Sequence, residues 1–340
     1  MLSVTIALTA IVGGWWVQQD RRTDRVLSDT ITRQAPEYGP MASALLPDLE
    51  RAVVVAPDRP HNSQEMIAEN RFEIIQRRRA FEVCTDDRGL RVSCDDRPTA
   101  TNPDYTILCV GDSVVFGWGV TAEESLPSRL QQTLGVTVLN GGIPAMHPES
   151  IAAWTRANIE ALDPDLILFV RRPAYQQRDP IGNFIDAVRS VVQAADTRPV
   201  GVVLPPLSSF DLATGFVTDP VSPADQAVGM IQIGLGSTPV LDVQATYLAA
   251  QQALGSGLLR KWVRLERTPS SQRLVRQASE EVVVTVDAFQ PEIATEVLRA
   301  FEANPRIQEP LFFDGGHPDA DGFRVFADAV AGWVREQGWL

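Results

Sequence analysis

The chain has 340 residues, of which 44% are hydrophobic and 21% charged, proportions ordinary for a globular protein that buries a core without relying on disulfide staples. Its formal charge of -13 at pH 7 argues against a nucleic-acid ligand, which needs clustered Lys and Arg against phosphate, and against adhesion to an anionic membrane surface. The same charge leaves a neutral or esterified substrate open.

Residues 2–17 form an uncharged apolar run that closes on Trp15 and Trp16 and gives way to Gln18, Gln19, Asp20 and Arg21. The run is short beside the roughly 20 residues of a spanning helix and fits a signal sequence or a tilted anchor. No clear small-x-small cleavage site precedes the polar flank, and a Trp pair at an apolar–polar border suits a membrane interface. An uncleaved membrane anchor over residues 1–18 is therefore expected. Arg21, Arg22 and Arg25 follow the segment, which by the positive-inside rule would leave the body in the cytoplasm; the cysteine pair described next points to an oxidising compartment, and the extracytoplasmic, periplasmic side is the expectation.

Residues 19–103 read as a stalk and a small lead-in module. Leu45, Leu46, Leu49, Val53 and Val54 suit one amphipathic helix, and residues 98–103, bounded by prolines, read as a linker. Cys84 and Cys94 flank a short polar stretch, either as a local disulfide, worth roughly 2–3 kcal/mol in the chain-entropy model, or as free thiols. A zinc site would need more ligands than lie nearby. Cys109 sits in an apolar run and reads as a core thiol.

From Tyr105 onward strands and helices alternate. Thr106–Val110, Val136–Leu139, Leu166–Val170, Val200–Leu204 and Val240–Val243 read as strands; helical faces recur at Leu126, Leu130 and Leu134, over Ile151–Leu162 and Ile181–Ala195, to about Leu254, and at Phe323, Phe326, Val330, Trp333 and Val334. Such alternation implies a parallel sheet wrapped by helices, whose ligands bind at the carboxyl ends of the strands. Ser113 lies just past the first of these ends.

A serine on the turn between a buried strand and a helix, as in Gly111-Asp112-Ser113, offers an exposed hydroxyl and a backbone N–H able to face an oxyanion. The same tripeptide also occurs as a simple helix cap. A base must accompany a nucleophile, and the chain has three histidines. His317 lies just before the last helix with Asp314 three residues earlier, the order of a carboxylate that holds an imidazole tautomer. His147 follows the second strand and suits a substrate contact, and His61 falls in the stalk.

Gly111-Asp-Ser113 followed by Phe116-Gly-Trp-Gly-Val120 resembles the first block of the SGNH/GDSL hydrolases, and particularly of their bacterial cell-surface branch. Val138-Leu-Asn-Gly-Gly142-Ile-Pro144 is similar to the second block, Pro164-Asp165-Leu-Ile-Leu-Phe169 to the strand leading to the third, and Asp314-Gly-Gly-His317 to the last; Asp87-Arg-Gly-Leu-Arg91 resembles a short glycine-containing segment that often precedes the domain. The resemblance covers most of residues 85–204 and 310–340. It implies a three-layer α/β/α, flavodoxin-like domain over residues 104–340, ester hydrolysis or acyl transfer, and no metal or other cofactor. The implied roles are nucleophile for Ser113, base for His317, orienting carboxylate for Asp314, and oxyanion donors at the Ser113 and Gly142 N–H groups. The third block normally adds an asparagine donor after the third strand, and here that stretch is Val170-Arg-Arg-Pro-Ala-Tyr175, with the next asparagine at Asn183. Arg171 or Arg172 stands where that donor is missing, either replacing it or pairing with carboxylates; losing one donor typically costs about 10²–10³ in rate.

Around residues 245–305 the chain exceeds a compact domain of this type, an insertion suited to a lid or a protein-docking surface. Arg260, Lys261, Arg264, Arg267, Arg273 and Arg276 form a local basic run, read as a solvated helix face or a contact for an anionic glycan or protein, and Glu281–Val286 reads as a strand. The functional expectation is an anchored serine esterase or acyltransferase whose substrate, by the resemblance, is an O-acyl group on a small molecule or cell-surface carbohydrate. The alternative is a catalytically impaired scaffold of the same fold in a membrane-associated complex.

Overall fold

The computed structural model describes residues 30–56, 79–95, 100–172, 181–206, 223–254, 262–268, 271–277, 283–287, 311–312 and 317–340. At its centre is an eight-stranded sheet in the order β10-β9-β8-β6-β7-β5-β4-β3. Five of these strands are parallel: β6 (Asn102–Gly111), β7 (Val136–Gly142), β8 (Leu166–Val170), β9 (Val200–Leu204) and β10 (Val240–Asp242). Strands β8 and β9 are buried along their whole length, as expected of parallel strands covered on both faces.

Side chains on the central strands alternate between two cores, because successive Cβ atoms of a strand point to opposite faces. Leu108 and Val110 of β6 and Ile167 and Phe169 of β8 pack with Trp154 and Ile159 of α3 (Pro148–Leu162), Phe184 and Val188 of α4 (Ile181–Ala195) and Ile231 of α5 (Pro223–Leu235). Ile107 and Cys109 of β6 and Leu166 and Leu168 of β8 face the other way. There they meet Leu126 and Leu130 of α2 (Leu126–Leu134), Tyr247 of α6 (Gln244–Leu254), and Phe323, Phe326 and Val330 of α7 (Ala320–Glu336). The result is three layers, helix–sheet–helix. Burial pushes the Cys109 thiol well above its ordinary pKa, in keeping with a core position.

Three strands before Asn102 are built into this same sheet. Strands β3 (Ala52–Ala56), β4 (Arg79–Thr85) and β5 (Arg91–Val92) continue it antiparallel past β7, with Arg91 paired to Asn140. The helix expected around residues 45–54 does not form: the segment is β2 (Ser43–Leu45), paired with β1 (Thr32–Gln34), and then β3. Pro47 cannot continue a helical hydrogen-bond ladder, Asp48 and Arg51 take left-handed φ values of 55° and 49°, and the Val53–Val54–Val55 run favours a strand. The expected linker to Pro103 gives way to β6, which starts at Asn102; residues 96–99 lie outside the described residues.

The basic run is strand rather than helix where described. β11 (Trp262–Thr268), β12 (Ser271–Gln277) and β13 (Val283–Asp287) form an antiparallel three-stranded sheet, and β13 begins two residues after the strand start expected at Glu281. α6 belongs to the helical layer, with Tyr247 buried in it. Among the described residues no helix is long and apolar enough to cross a membrane, and the anchor expected at residues 2–17 lies outside them.

Candidate active site

In the parallel part of the sheet β6 is flanked by β7 and β8, so the chain leaves β6 in one direction along the sheet and returns to the other side of it, which opens a crevice at the strand ends. Ser113 sits there. Gly111 closes β6 between Gly142 and Val170, and a Cβ at Gly111 would stand 2.3 Å from the Val170 carbonyl oxygen and 2.4 Å from Val115 Cγ2, which only glycine avoids. Asp112 caps the four-residue helix α1 (Ser113–Phe116), its Oδ1 accepting from the Val114 N–H at 3.0 Å. Ser113 is half-buried, and as the first residue of a helical turn its N–H has no intrahelical acceptor.

His317 reaches the same point from the other end of the chain: its Nε2 lies 2.8 Å from Ser113 Oγ, within the range for proton transfer. The loop that carries it is held at several atoms. Phe312 and Pro318 form a β-bridge, the Asp319 N–H donates to the Leu311 carbonyl at 3.0 Å, and Tyr247 Oη donates to that same carbonyl at 2.5 Å. Asp319 then caps α7 by accepting from the Gly322 N–H at 2.8 Å. Trp118 lies beside the imidazole with ring centroids 6.5 Å apart, and Phe81 of β4 packs on Trp118 at 5.6 Å. Asp314, the expected orienting carboxylate, lies outside the described residues. Asp112 is committed elsewhere, to the Val114 N–H and to an ion pair with Arg171.

The two arginines after β8 part company. Arg171 joins the Ser113 turn through that ion pair. Arg172 is committed elsewhere: it is buried, its Nε donates to the Pro205 carbonyl at 2.9 Å and its guanidinium pairs with Asp242 at 2.5 Å, so it ties the ends of β8, β9 and β10 together. Asn183 is exposed on α4. Gly142 also departs from its expected role, because its N–H donates to the Asn140 side chain at 3.0 Å. Its missing side chain matters for packing, since a Cβ there would stand 2.1 Å from the Phe116 backbone nitrogen. Beyond it, Ile143–Met146 forms a turn with Ala145 at a left-handed φ of 61°, an exposed non-glycine residue in strained backbone. His147 is the N-cap residue of α3, and His61 lies outside the described residues.

Cys84 and Cys94 are joined as a disulfide with Cα atoms 5.2 Å apart, closing the β4–β5 hairpin. The hairpin reaches the Ser113 turn through Arg91. Its guanidinium donates to the carbonyls of Phe116 at 2.5 Å, Gly117 at 2.7 Å and Val120 at 2.7 Å and lies over the Phe116 ring at 4.4 Å. Two residues on, Ser93 Oγ donates to the Glu123 carboxylate. These contacts went unassigned in the sequence. The only signal was the Asp87-Arg-Gly-Leu-Arg91 segment, whose acceptors are main-chain carbonyls that carry no residue signature.

No family model and no curated protein matches the chain. Among solved structures, a lipolytic protein of the G-D-S-L family from Desulfitobacterium hafniense is similar at 15% identity over 67% of this chain and 98% of its own, with a TM-score of 0.39. A lipase/acylhydrolase from Enterococcus faecalis is similar at 11% identity over 68% and 96%, with a TM-score of 0.42. An acetyl-xylooligosaccharide esterase from Geobacillus is similar at 18% identity over 71% and 98%, with a TM-score of 0.38.

Proposed function

We propose that the chain is a serine hydrolase of the SGNH/GDSL type acting on an ester. The observation that carries this reading is the 2.8 Å contact between Ser113 Oγ and His317 Nε2, two side chains 204 residues apart in sequence, at the carboxyl end of a parallel sheet where such sites form. In the reaction Ser113 Oγ attacks the ester carbonyl carbon while His317 Nε2 takes the hydroxyl proton. The tetrahedral oxyanion is held by the Ser113 N–H, beside the Arg171 guanidinium that pairs with Asp112. His317 then protonates the departing alcohol, and a water activated by His317 releases the acyl group from Ser113. Asp314 is assigned the orienting role by its place three residues before His317.

An O-acyl group on a carbohydrate is the substrate class to which the sequence blocks point, by analogy of pattern. Placement outside the cytoplasm, with residues 2–17 as anchor, is supported by the Cys84–Cys94 disulfide, since such bonds persist in oxidising compartments. Hydrolysis of p-nitrophenyl acetate tests the chemistry. The wild type turns it over, and Ser113→Ala and His317→Ala each reduce kcat by at least ~10³-fold; retention of the wild-type rate by either variant overturns the assignment. The engaged Gly142 N–H and the absent third-block asparagine favour one rival, a catalytically impaired scaffold of the same fold. That rival predicts no turnover of any ester by folded wild-type protein.

A further inference from the structure

We propose that Arg91 is a positioning residue for ester cleavage: from β5 its guanidinium holds the carbonyl end of α1 and so sets where Ser113 stands relative to His317. The inference rests on the hydrolase reading above and names a residue outside the blocks that define it.

A four-residue helix is far below the length at which a helix is stable alone, so α1 depends on what grips its ends. Asp112 grips the first end. At the other, the final carbonyls have no intrahelical donors, and Arg91 supplies them at Phe116 and Gly117, then continues to Val120. Asn140 Nδ2 adds a longer bond to the Phe116 carbonyl at 3.4 Å. The segment between is bent by left-handed glycines, Gly117 at φ 85° and Gly119 at φ 82°, and so has little helical rigidity of its own. Trp118, which lies against His317, is carried on this segment. One guanidinium thus restrains the backbone that bears both the nucleophile and the ring beside the base.

Arg91 is only 3% exposed, and among the described residues it makes no ion pair. Burying a cation among carbonyls is expensive, and burial draws this guanidinium down to about 9 even though Glu123 and Glu124 pull the other way. An apolar side chain would fill the space between Phe81 and Phe116 at lower cost. What it would not do is donate in a planar fork to three carbonyls at once, a geometry that lysine also lacks.

The test compares wild type, Arg91→Met, Arg91→Lys and Arg91→Ala, using p-nitrophenyl acetate kinetics and amide hydrogen exchange of the full chain. A small displacement of a reacting group costs on the order of 10²-fold in rate. Arg91→Met is accordingly expected to lower kcat by about 10- to 100-fold with KM nearly unchanged, and to speed exchange at residues 113–120 while β8, β9 and α7 keep their protection. Arg91→Lys, the variant most certain to fold, recovers only part of the rate, and free guanidinium restores turnover to Arg91→Ala where sodium does not. Wild-type kcat per folded molecule in Arg91→Met, or exchange that rises equally throughout the fold, overturns the proposal. If the wild type hydrolyses nothing, the hydrolase reading fails on its own, and unchanged exchange at residues 113–120 in Arg91→Met still refutes the role of Arg91.

Discussion

Ser113 and His317 were readable because each stands in a short loop whose neighbours have a physical purpose: glycine to let strands close around the turn, and histidine ahead of a capped helix. Gly142 shows where that kind of reading stops. The resemblance implies a Gly142 N–H aimed at an oxyanion, but that amide is bound to Asn140, and the space the glycine leaves open is occupied by the backbone of α1. Gly142→Ala should therefore destabilise the fold by about 1–3 kcal/mol, the usual scale for overpacking, which urea denaturation would detect; an unchanged midpoint would contradict the close approach. Ala145 predicts the opposite sign. Its left-handed φ costs roughly 1 kcal/mol in a non-glycine residue, part of which glycine gives back in chain entropy, so Ala145→Gly should leave the thermal midpoint equal or higher.

Strands β8 and β9 and helix α4 lie where the sequence placed them, because five-residue apolar runs and a regular amphipathic stripe leave little freedom of interpretation. Pro223–Leu235 went unread: its apolar residues are interrupted by Gly229 and Gly234, and half of its pattern faces solvent at Met230 and Ile233. The lead-in misled for a different reason. Leu45, Leu49 and Val53 fall at helical spacing by coincidence, while the strand pairs that fix the segment, Leu45 with Thr32 and Val53 with Glu82, are invisible to any local pattern. The hairpin formed by β4 and β5 depends on its disulfide: Cys84→Ser with Cys94→Ser should lower stability by about 2–3 kcal/mol. Through Arg91 it should also reduce kcat, measurable by comparing oxidised and reduced wild-type protein in the same ester assay.

The sequence suggested a lead-in module followed by a separate domain, whereas the strands from Ala52 to Val92 complete one sheet edge to edge with the parallel strands. Long-range antiparallel pairing of this kind leaves no trace in composition, yet it makes residues 79–95 part of the sheet that carries Ser113. A chain beginning at residue 100 should therefore lose cooperative unfolding and ester turnover together, which circular dichroism and the same assay would reveal. The parallel core was legible as a whole because strands alternating with helices admit few arrangements. The order β7-β6-β8 then places the end of β6, and with it Ser113, at the crevice where the connections leaving β6 and β8 run to opposite faces of the sheet.

The central claim is that Ser113 is a nucleophile activated by His317. Labelling purified wild-type protein with a fluorophosphonate, followed by mass spectrometry of the labelled peptide, tests it most directly. The account predicts one adduct, on Ser113, that is lost in Ser113→Ala and strongly slowed in His317→Ala. Folded wild-type protein that takes up no label, or carries it on another residue, would contradict it.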